Sequence, residues 1–335
     1  MVTLRDVAKA AGVSTSTASR VLDERLPRSR TAAAERVRQV AKELGYVRDP
    51  LAAGLRRSGT STVGVVVPRL TDIVMALLYE EIAAAATARG LFAVVATTHD
   101  HPDREELAVQ SLLHRRVDGI IRTTARTDAP LDVGKFDTTV REVLALRTDG
   151  VLPAAVGDDR LGGRLATRHL IDLGHTRIGL ASGPAFASSA VGRHLGYLEA
   201  LADAGLTPDT SLVVGDAFSI EAGEEAGLSL LTRPDRPTAI FAVNDYVAIG
   251  VLSIATKLGL SIPDDLSLVG YNDIPIVSKL PVPLTSVRVP FAQIAAGALS
   301  LLLDDRDPSA KTLTYAPTLI PRRSTTAPQL PESPR

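Results

Sequence analysis

Apolar residues follow one period at the start of this chain and another after about residue 60. In the first stretch they recur three and four residues apart, the spacing of one helix face. Val7, Ala8 and Ala11 make one stripe, Ala18, Val21 and Leu22 a second, and Val37, Val40, Ala41 and Leu44 a third. Thr3 suits an N-cap, with Asp6 at the capping-box spacing, although Glu or Gln is more usual there. Gly12 ends that helix, Val13 fills the corner and Ser14 caps the next. The third helix is expected over roughly Thr31 to Leu44, with Gly45 as its stop. Two helices around a tight turn, followed by a third, predict a helix-turn-helix unit.

Residues 48–60, "RDPLAAGLRRSGT", read as a poor helix. Asp49 and Pro50 are good starting residues. Gly54 then costs about 1 kcal/mol relative to Ala, and Ser58-Gly59 stops the run after barely two turns. A helix so short is marginal alone, so this segment is expected to fold only when partnered.

From "TVGVVVP" onward the pattern changes to short continuous apolar runs alternating with helices. "LFAVVAT", "DGIIRTT", "REVLAL" and "PAAVG" read as strands, with helices at 72–89 and over "PDREELAVQSLLHRR". A second series gives "RIGLAS", "SLVVGD", "AIFAV" and "LSLVG", with helices at 189–204, 220–231 and 245–258. Such alternation indicates α/β lobes with parallel sheets covered on both faces. Two series predict two doubly wound lobes, with a ligand held outside the C-terminal strand ends and hinge closure around it.

The expected strand ends are polar: Asp158, Asp159 and Arg160; Ser182 to Ser189; Asp216 and Phe218; Asn244 and Asp245; Asn272 and Asp273. Polar groups beside an aromatic plate suit a hydroxyl-rich or planar polar molecule. Asp158 and Asn244 would serve equally as helix caps, and Phe218 and Phe291 as core. Arg193 lies in an otherwise apolar helix and needs a partner.

Composition sharpens this picture. The chain has 335 residues, enough for two or three domains. Residues 1–60 carry 12 Lys/Arg and 6 Asp/Glu, or +6, so the remainder carries −7 of the total of −1. A basic head on an acidic body points to a polyanion partner. Thr15, Ser16, Thr17, Ser19 and Arg20 are expected on the outer face of the second helix, which suits the major groove. Arg20 is the candidate for a bidentate guanine contact. One such helix reads few base pairs, so a homodimer on pseudopalindromic double-stranded operator DNA is expected. Cysteine is absent, the first residues lack a signal-peptide layout, and the apolar runs are too short to span a membrane. A cytoplasmic protein without membrane partners is expected.

Enzyme readings find little support. No G-x-G-x-x-G follows a strand, and neither a P-loop nor a G-x-S-x-G elbow occurs. His99 and His101 beside Asp100 and Asp103 read as a solvated loop, so no metal and no cofactor are expected. A plain sugar-binding protein would share the two-lobed body but not the basic helical head.

"TLRDVAKAAGVSTSTASRVLD" with "ERVRQVAKELGYVRDPLAAGL" closely resembles the head and hinge of LacI-type (lactose/purine repressor) regulators. The resemblance continues through "VDGII", "LGGRLATRHLIDLGHTRIGLASG", "RPTAIFAVNDYVAIGVL", "IPDDLSLVGYNDI" and "PLTSVRVP". It implies a DNA-binding domain at 1–47, a hinge at 48–60 and a periplasmic-binding-protein-like body at 61–325. Lobe one would take 61–157 with 290–316, and lobe two 158–289 with 317–325, before a flexible tail at 326–335. The implied DNA contacts are Thr3, Ser14, Thr15, Ser16, Thr17, Ser19 and Arg20. In the hinge, Leu55 would wedge into the minor groove beside Ala52, while Arg56 and Arg57 meet phosphates. The implied effector set is Ser189, Arg193, Phe218, Asn244, Asn272 and Phe291, with Asp158 nearby. A repressor controlled by a small polar effector follows, a sugar first and a purine or other corepressor as the alternative. Its dimer would pack through the helices at 72–89 and 246–258. The Pro-rich tail has no leucine heptads, against a tetramer. The chain departs from the pattern at Asp72-Ile73-Val74-Met75, where relatives show aromatics, and over 124–140.

Overall fold

The computed structural model describes residues 2–23, 27–46, 60–129, 140–304 and 311–329. The hinge readings on Asp49, Pro50, Ala52, Gly54, Leu55, Arg56 and Arg57 lie outside the described residues, as does 130–139 of the poorly fitting stretch. The chain divides into two units, Met1–Thr60 and Ser61–Arg335.

In the first unit, α1 (Leu4–Ala11), α2 (Thr15–Val21) and α3 (Ala32–Glu43) close around Val7, Ala8, Ala11, Ala18, Val37 and Ala41. Thr3 and Asp6 form the reciprocal capping box, and Gly12 ends α1 at φ +64°. Ser14 caps α2 through the Thr17 amide, and Thr31 caps α3 through Ala34. Arg36 Nε donates to the Ala11 carbonyl at 3.0 Å, tying α3 to the turn. Leu44, expected inward, is 40% exposed: α3 has ended at Glu43, so Leu44 is its C-cap and leaves the stripe.

Among the described residues, the second unit has two six-stranded sheets. The first holds β1 (Thr62–Val67), β2 (Phe92–Thr97), β3 (Gly119–Arg122), β4 (Arg141–Ala145), β5 (Ala154–Gly157) and β11 (Thr312–Tyr315), all pairing parallel in the order β11-β5-β4-β3-β1-β2. Three helices cover it: α4 (Ile73–Thr87), α5 (Pro102–His114) and α10 (Phe291–Leu303).

The second sheet runs β12-β10-β9-β8-β6-β7. Its strands are β6 (Ile178–Ala181), β7 (Val213–Val214), β8 (Ala239–Ala242), β9 (Ser267–Asn272), β10 (Thr285–Arg288) and β12 (Thr318–Ile320). Only β12 pairs antiparallel. Around it lie α6 (Asp159–Asp172), α7 (Ser188–Asp203), α8 (Ile220–Leu231) and α9 (Asp245–Lys257). The chain passes between the sheets at Asp158, at Val289-Pro290 and at Ala316-Pro317.

Two local readings need correction. "SLVVGD" yields a strand of only two residues, preceded by a 3-10 turn at Thr210–Leu212. The Asp209 carboxylate accepts from the Ser211 amide and hydroxyl, a local bond that competes with the ladder. The expected flexible tail is anchored at its start. The Thr326 amide donates to Ser267 Oγ at 2.9 Å, and its carbonyl pairs with His175 Nε2 at 2.9 Å. "GHTR" is thus a helix-to-strand turn, with buried His175 also bonded to Thr238 Oγ1.

Candidate functional site

On α2, Ser16, Thr17 and Arg20 are exposed, whereas Thr15 and Ser19 are half-buried. The Ser14 hydroxyl meets those of Ser16 and Thr17, each at 2.8 Å, so the cap is a cluster of hydroxyls at the helix start. Thr17 and Arg20 share a concave surface with Asp23, Arg28 and Arg38. Hydroxyl donors and guanidinium groups on one face suit phosphates and base edges.

In the body, the C-terminal ends of both sheets meet at one cleft. Its lining residues are Asp72, Val74, Met75, Leu146, Arg147, Ser189, Arg193, Phe218, Asn244 and Asn272, around an empty volume of about 410 Å³ that includes its open mouth. Asp72 caps α4 through the Val74 amide, and burial pushes its carboxyl above the usual carboxylate range. Residues of the two lobes also bond directly around the cleft. Thr127 donates amide and hydroxyl to the Phe186 carbonyl, the Thr148 amide donates to Ser188 Oγ, and Tyr246 Oη bridges Thr71 and Ile73.

Arg193 is the best-held cation there. Its Nε donates to Asp159 at 2.8 Å, its Nη1 to the Val243 carbonyl at 2.8 Å, and its guanidinium lies 3.7 Å from the Tyr271 ring centroid. Burial works against its charge, but Asp159 and Tyr271 outweigh it and hold the guanidinium protonated. The α6–α7 crossing places this pair. Gly163 lies so close to α7 that a Cβ there would stand 2.1 Å from the Arg193 carbonyl oxygen.

Asn244 caps α9 through the Val247 amide at 2.8 Å, and its Nδ2 donates to the Phe218 carbonyl at 3.0 Å. It therefore holds the aromatic plate as well as lining the cleft. Asn272 and Asp273 take left-handed φ values of +102° and +55°. Asp245 braces that turn, accepting from the Ile274 amide at 2.8 Å and from Ser286 Oγ at 2.6 Å.

Burial raises the Asp245 carboxyl to about 7. The folded protein therefore keeps a proton that the unfolded chain has released, and this contribution is complete below pH 4 and lost as pH rises to about 7. Half-buried His169 and buried His175 act oppositely, because desolvation depresses both. The comparison with Asp245→Asn isolates the acid. The stability of wild type relative to the variant, measured by urea unfolding, is expected to fall by on the order of a few kcal/mol between pH 4 and 7, then stay level. A constant difference would assign the pH dependence elsewhere.

Five of the expected effector residues meet in the cleft: Ser189, Arg193, Phe218, Asn244 and Asn272. Two do not line it. Asp158 is the N-cap of α6, accepting from Leu161, and its neighbour Asp159 meets Arg193 instead. Phe291 begins α10 and packs on the core. Asp72, Val74 and Met75 form the wall where aromatics were absent from the sequence. Arg147 was missed; its only sequence signal is a charge just beyond the apolar strand "REVLAL". Among the described residues no three His, Cys, Asp or Glu converge as a metal site, and no helix is long and apolar enough to cross a membrane.

The chain matches two family models: "Bacterial regulatory proteins, lacI family" over residues 3–49 and "Periplasmic binding protein-like domain" over 167–325. The ribose operon repressor of Escherichia coli (strain K12) is 34% identical over 90% of this chain and 92% of that protein. The lac repressor dimer bound to operator and an anti-inducer superposes with a TM-score of 0.84 at 27% identity, over 97% of this chain and 99% of that one. A transcriptional regulator CelR–cellobiose complex gives 0.73 at 30% identity, over 97% and 100%.

Proposed function

The chain belongs to the lacI family of bacterial regulatory proteins, and from that premise we propose that it is a homodimeric repressor whose operator affinity is set by a small hydroxylated effector of the sugar type. The observation that carries this reading is the cleft itself: Ser189, Arg193, Asn244 and Asn272 line it together with Phe218 where two sets of strand ends meet. Hydroxyls of a ring would meet the side-chain donors and acceptors, and the ring's apolar face would meet Phe218. Two relatives support a sugar: one is named for a ribose operon, the other is a complex with cellobiose.

The interlobe bonds give the effector something to act on. A ligand that favours one lobe arrangement shifts the population by its differential affinity for the two. Coupling to the head is assigned on sequence grounds to residues 48–60. Two heads reading a pseudopalindrome would supply the specificity that one α2 helix lacks.

The test uses the full chain and an operator selected from random duplexes, with binding read by fluorescence polarisation. A sugar that changes operator affinity tenfold or so, and fails to do so when Arg193 is Lys, is the expected result. DNA binding indifferent to every sugar and sugar derivative that occupies the cleft would remove effector control. In the same assay Arg20→Ala is expected to cost about 1–3 kcal/mol on the selected operator and little on random duplex. Equal losses on both would reassign Arg20 to phosphate contact.

A further inference from the structure

Arg122, Arg147 and Arg193 are the buried arginines among the described residues. Arg122 is clamped by Glu105 at 2.7 Å and Glu142 at 2.6 Å, and Arg193 by Asp159 at 2.8 Å. Arg147 differs: it is 7% exposed and lines the cleft, and its Nη1 has no hydrogen-bond partner. A guanidinium taken out of water without an acceptor is costly.

Its surroundings favour an incoming anion. The Phe218 and Phe186 ring centroids lie 5.3 and 5.8 Å from its guanidinium carbon, and Arg126 stacks on the same Phe186 at 3.6 Å. The nearby acids, Asp100 and Asp72, act on Arg147 only through space. Asp72 spends one oxygen on its helix cap, and burial raises its carboxyl, which weakens it as a competitor. Leu146, immediately before, holds φ +66°. A bulky residue stays in that region only where its surroundings impose it, so the turn that delivers Arg147 to the cleft is itself held in place.

We propose that the cleft takes an anionic sugar derivative, a sugar acid or sugar phosphate, whose carboxylate or phosphate is bound by Arg147 while Ser189, Arg193, Asn244 and Asn272 hold its hydroxyls. The proposal rests on the reading of the cleft as the effector site. A guanidinium offers the forked donors that a carboxylate or phosphate accepts, and a dry setting strengthens such a bond.

The test measures heat of binding and thermal shift on the full chain at matched ionic strength. The probes are D-gluconate and D-glucose 6-phosphate against D-glucose, D-ribose 5-phosphate against D-ribose, and inorganic phosphate alone. At least one acid or phosphate is expected to bind about tenfold or more tightly than its neutral parent. In Arg147→Met that preference should vanish, with the unliganded melting temperature no lower than wild type. The gluconate and phosphate arms separate the two anions. The proposal fails if no anionic probe registers, or if a neutral parent binds as tightly as its anion and ignores Arg147→Met. It fails also if Arg147→Met keeps the anion preference and melts lower, which would make Arg147 a prop for Phe186 and Phe218. A neutral sugar insensitive to Arg147→Met but lost in Arg193→Lys would sink the anion and keep the cleft. Ligand binding untouched by Arg193→Lys would sink the cleft reading itself.

Discussion

Arg193→Ala is expected to remove about 3–5 kcal/mol of stability and, where the variant still folds, to leave operator binding without effector control. The substitution strands Asp159, whose side chain is 12% exposed and has Arg193 as its cationic partner. It also frees the Val243 carbonyl and uncovers the Tyr271 ring. A lone buried carboxylate must either stay charged at high cost or take up a proton, and burial already pushes the Asp159 carboxyl upward. The paired change Arg193→Met with Asp159→Asn separates the two roles. Replacing both charges by neutral groups of similar size is often nearly neutral, so most of the stability should return. The effector response should not, because the ligand loses its donor either way. Urea unfolding and operator polarisation read the two separately. If Arg193→Ala unfolds within about 0.5 kcal/mol of wild type, a surface-like effect, the pair is not a buried strut.

The parts of this site that sequence made legible are those with a local rule behind them. The capping box at Thr3 and Asp6 and the cap at Ser14 follow from backbone donors that need acceptors. The apolar runs around "TVGVVVP" and "AIFAV" announced parallel strands because both faces are covered. Arg193 stood out as a charge in an apolar helix that needs a partner, and that partner proved to be Asp159. Asp158 and Asp159 are neighbours in sequence, but one caps the helix and the other faces its neighbour α7, a choice made by helix rotation. Arg147 could not be distinguished from an ordinary loop arginine, since its burial depends on Phe186 and Phe218 from the other lobe. The helix at Asp159–Asp172 was signalled only by its possible cap at Asp158 and had no legible bounds, because Gly162-Gly163 lowers its local propensity. Gly163 serves contact with a second helix and Gly162 contact with Tyr271 on β9, neither of which a local window contains.

That contact sets the second large effect. Ala at both Gly163 and Gly196 is expected to destabilise the body by about 2–6 kcal/mol, twice the usual cost of overpacking. Helix propensity alone argues the reverse, since Ala is favoured over Gly by about 1 kcal/mol at each site. Geometry decides the sign. A Cβ at Gly163 would lie 2.1 Å from the Arg193 carbonyl oxygen, and one at Gly196 would lie 2.0 Å from that of Arg160. Both obstacles are backbone, so no rotamer change relieves them, and α6 and α7 must move apart. Gly192, also on α7, is packed less closely, with a Cβ there 2.9 Å from Asp159 Cβ. Separation therefore stretches the 2.8 Å bond between Arg193 and Asp159 and shifts the guanidinium in the cleft. The double variant should accordingly lose both urea resistance and effector affinity, with operator recognition by the separately packed head retained. If it instead gained the roughly 2 kcal/mol that propensity predicts, α6 and α7 would not be packed through their glycines, and the placement of Arg193 would need another cause.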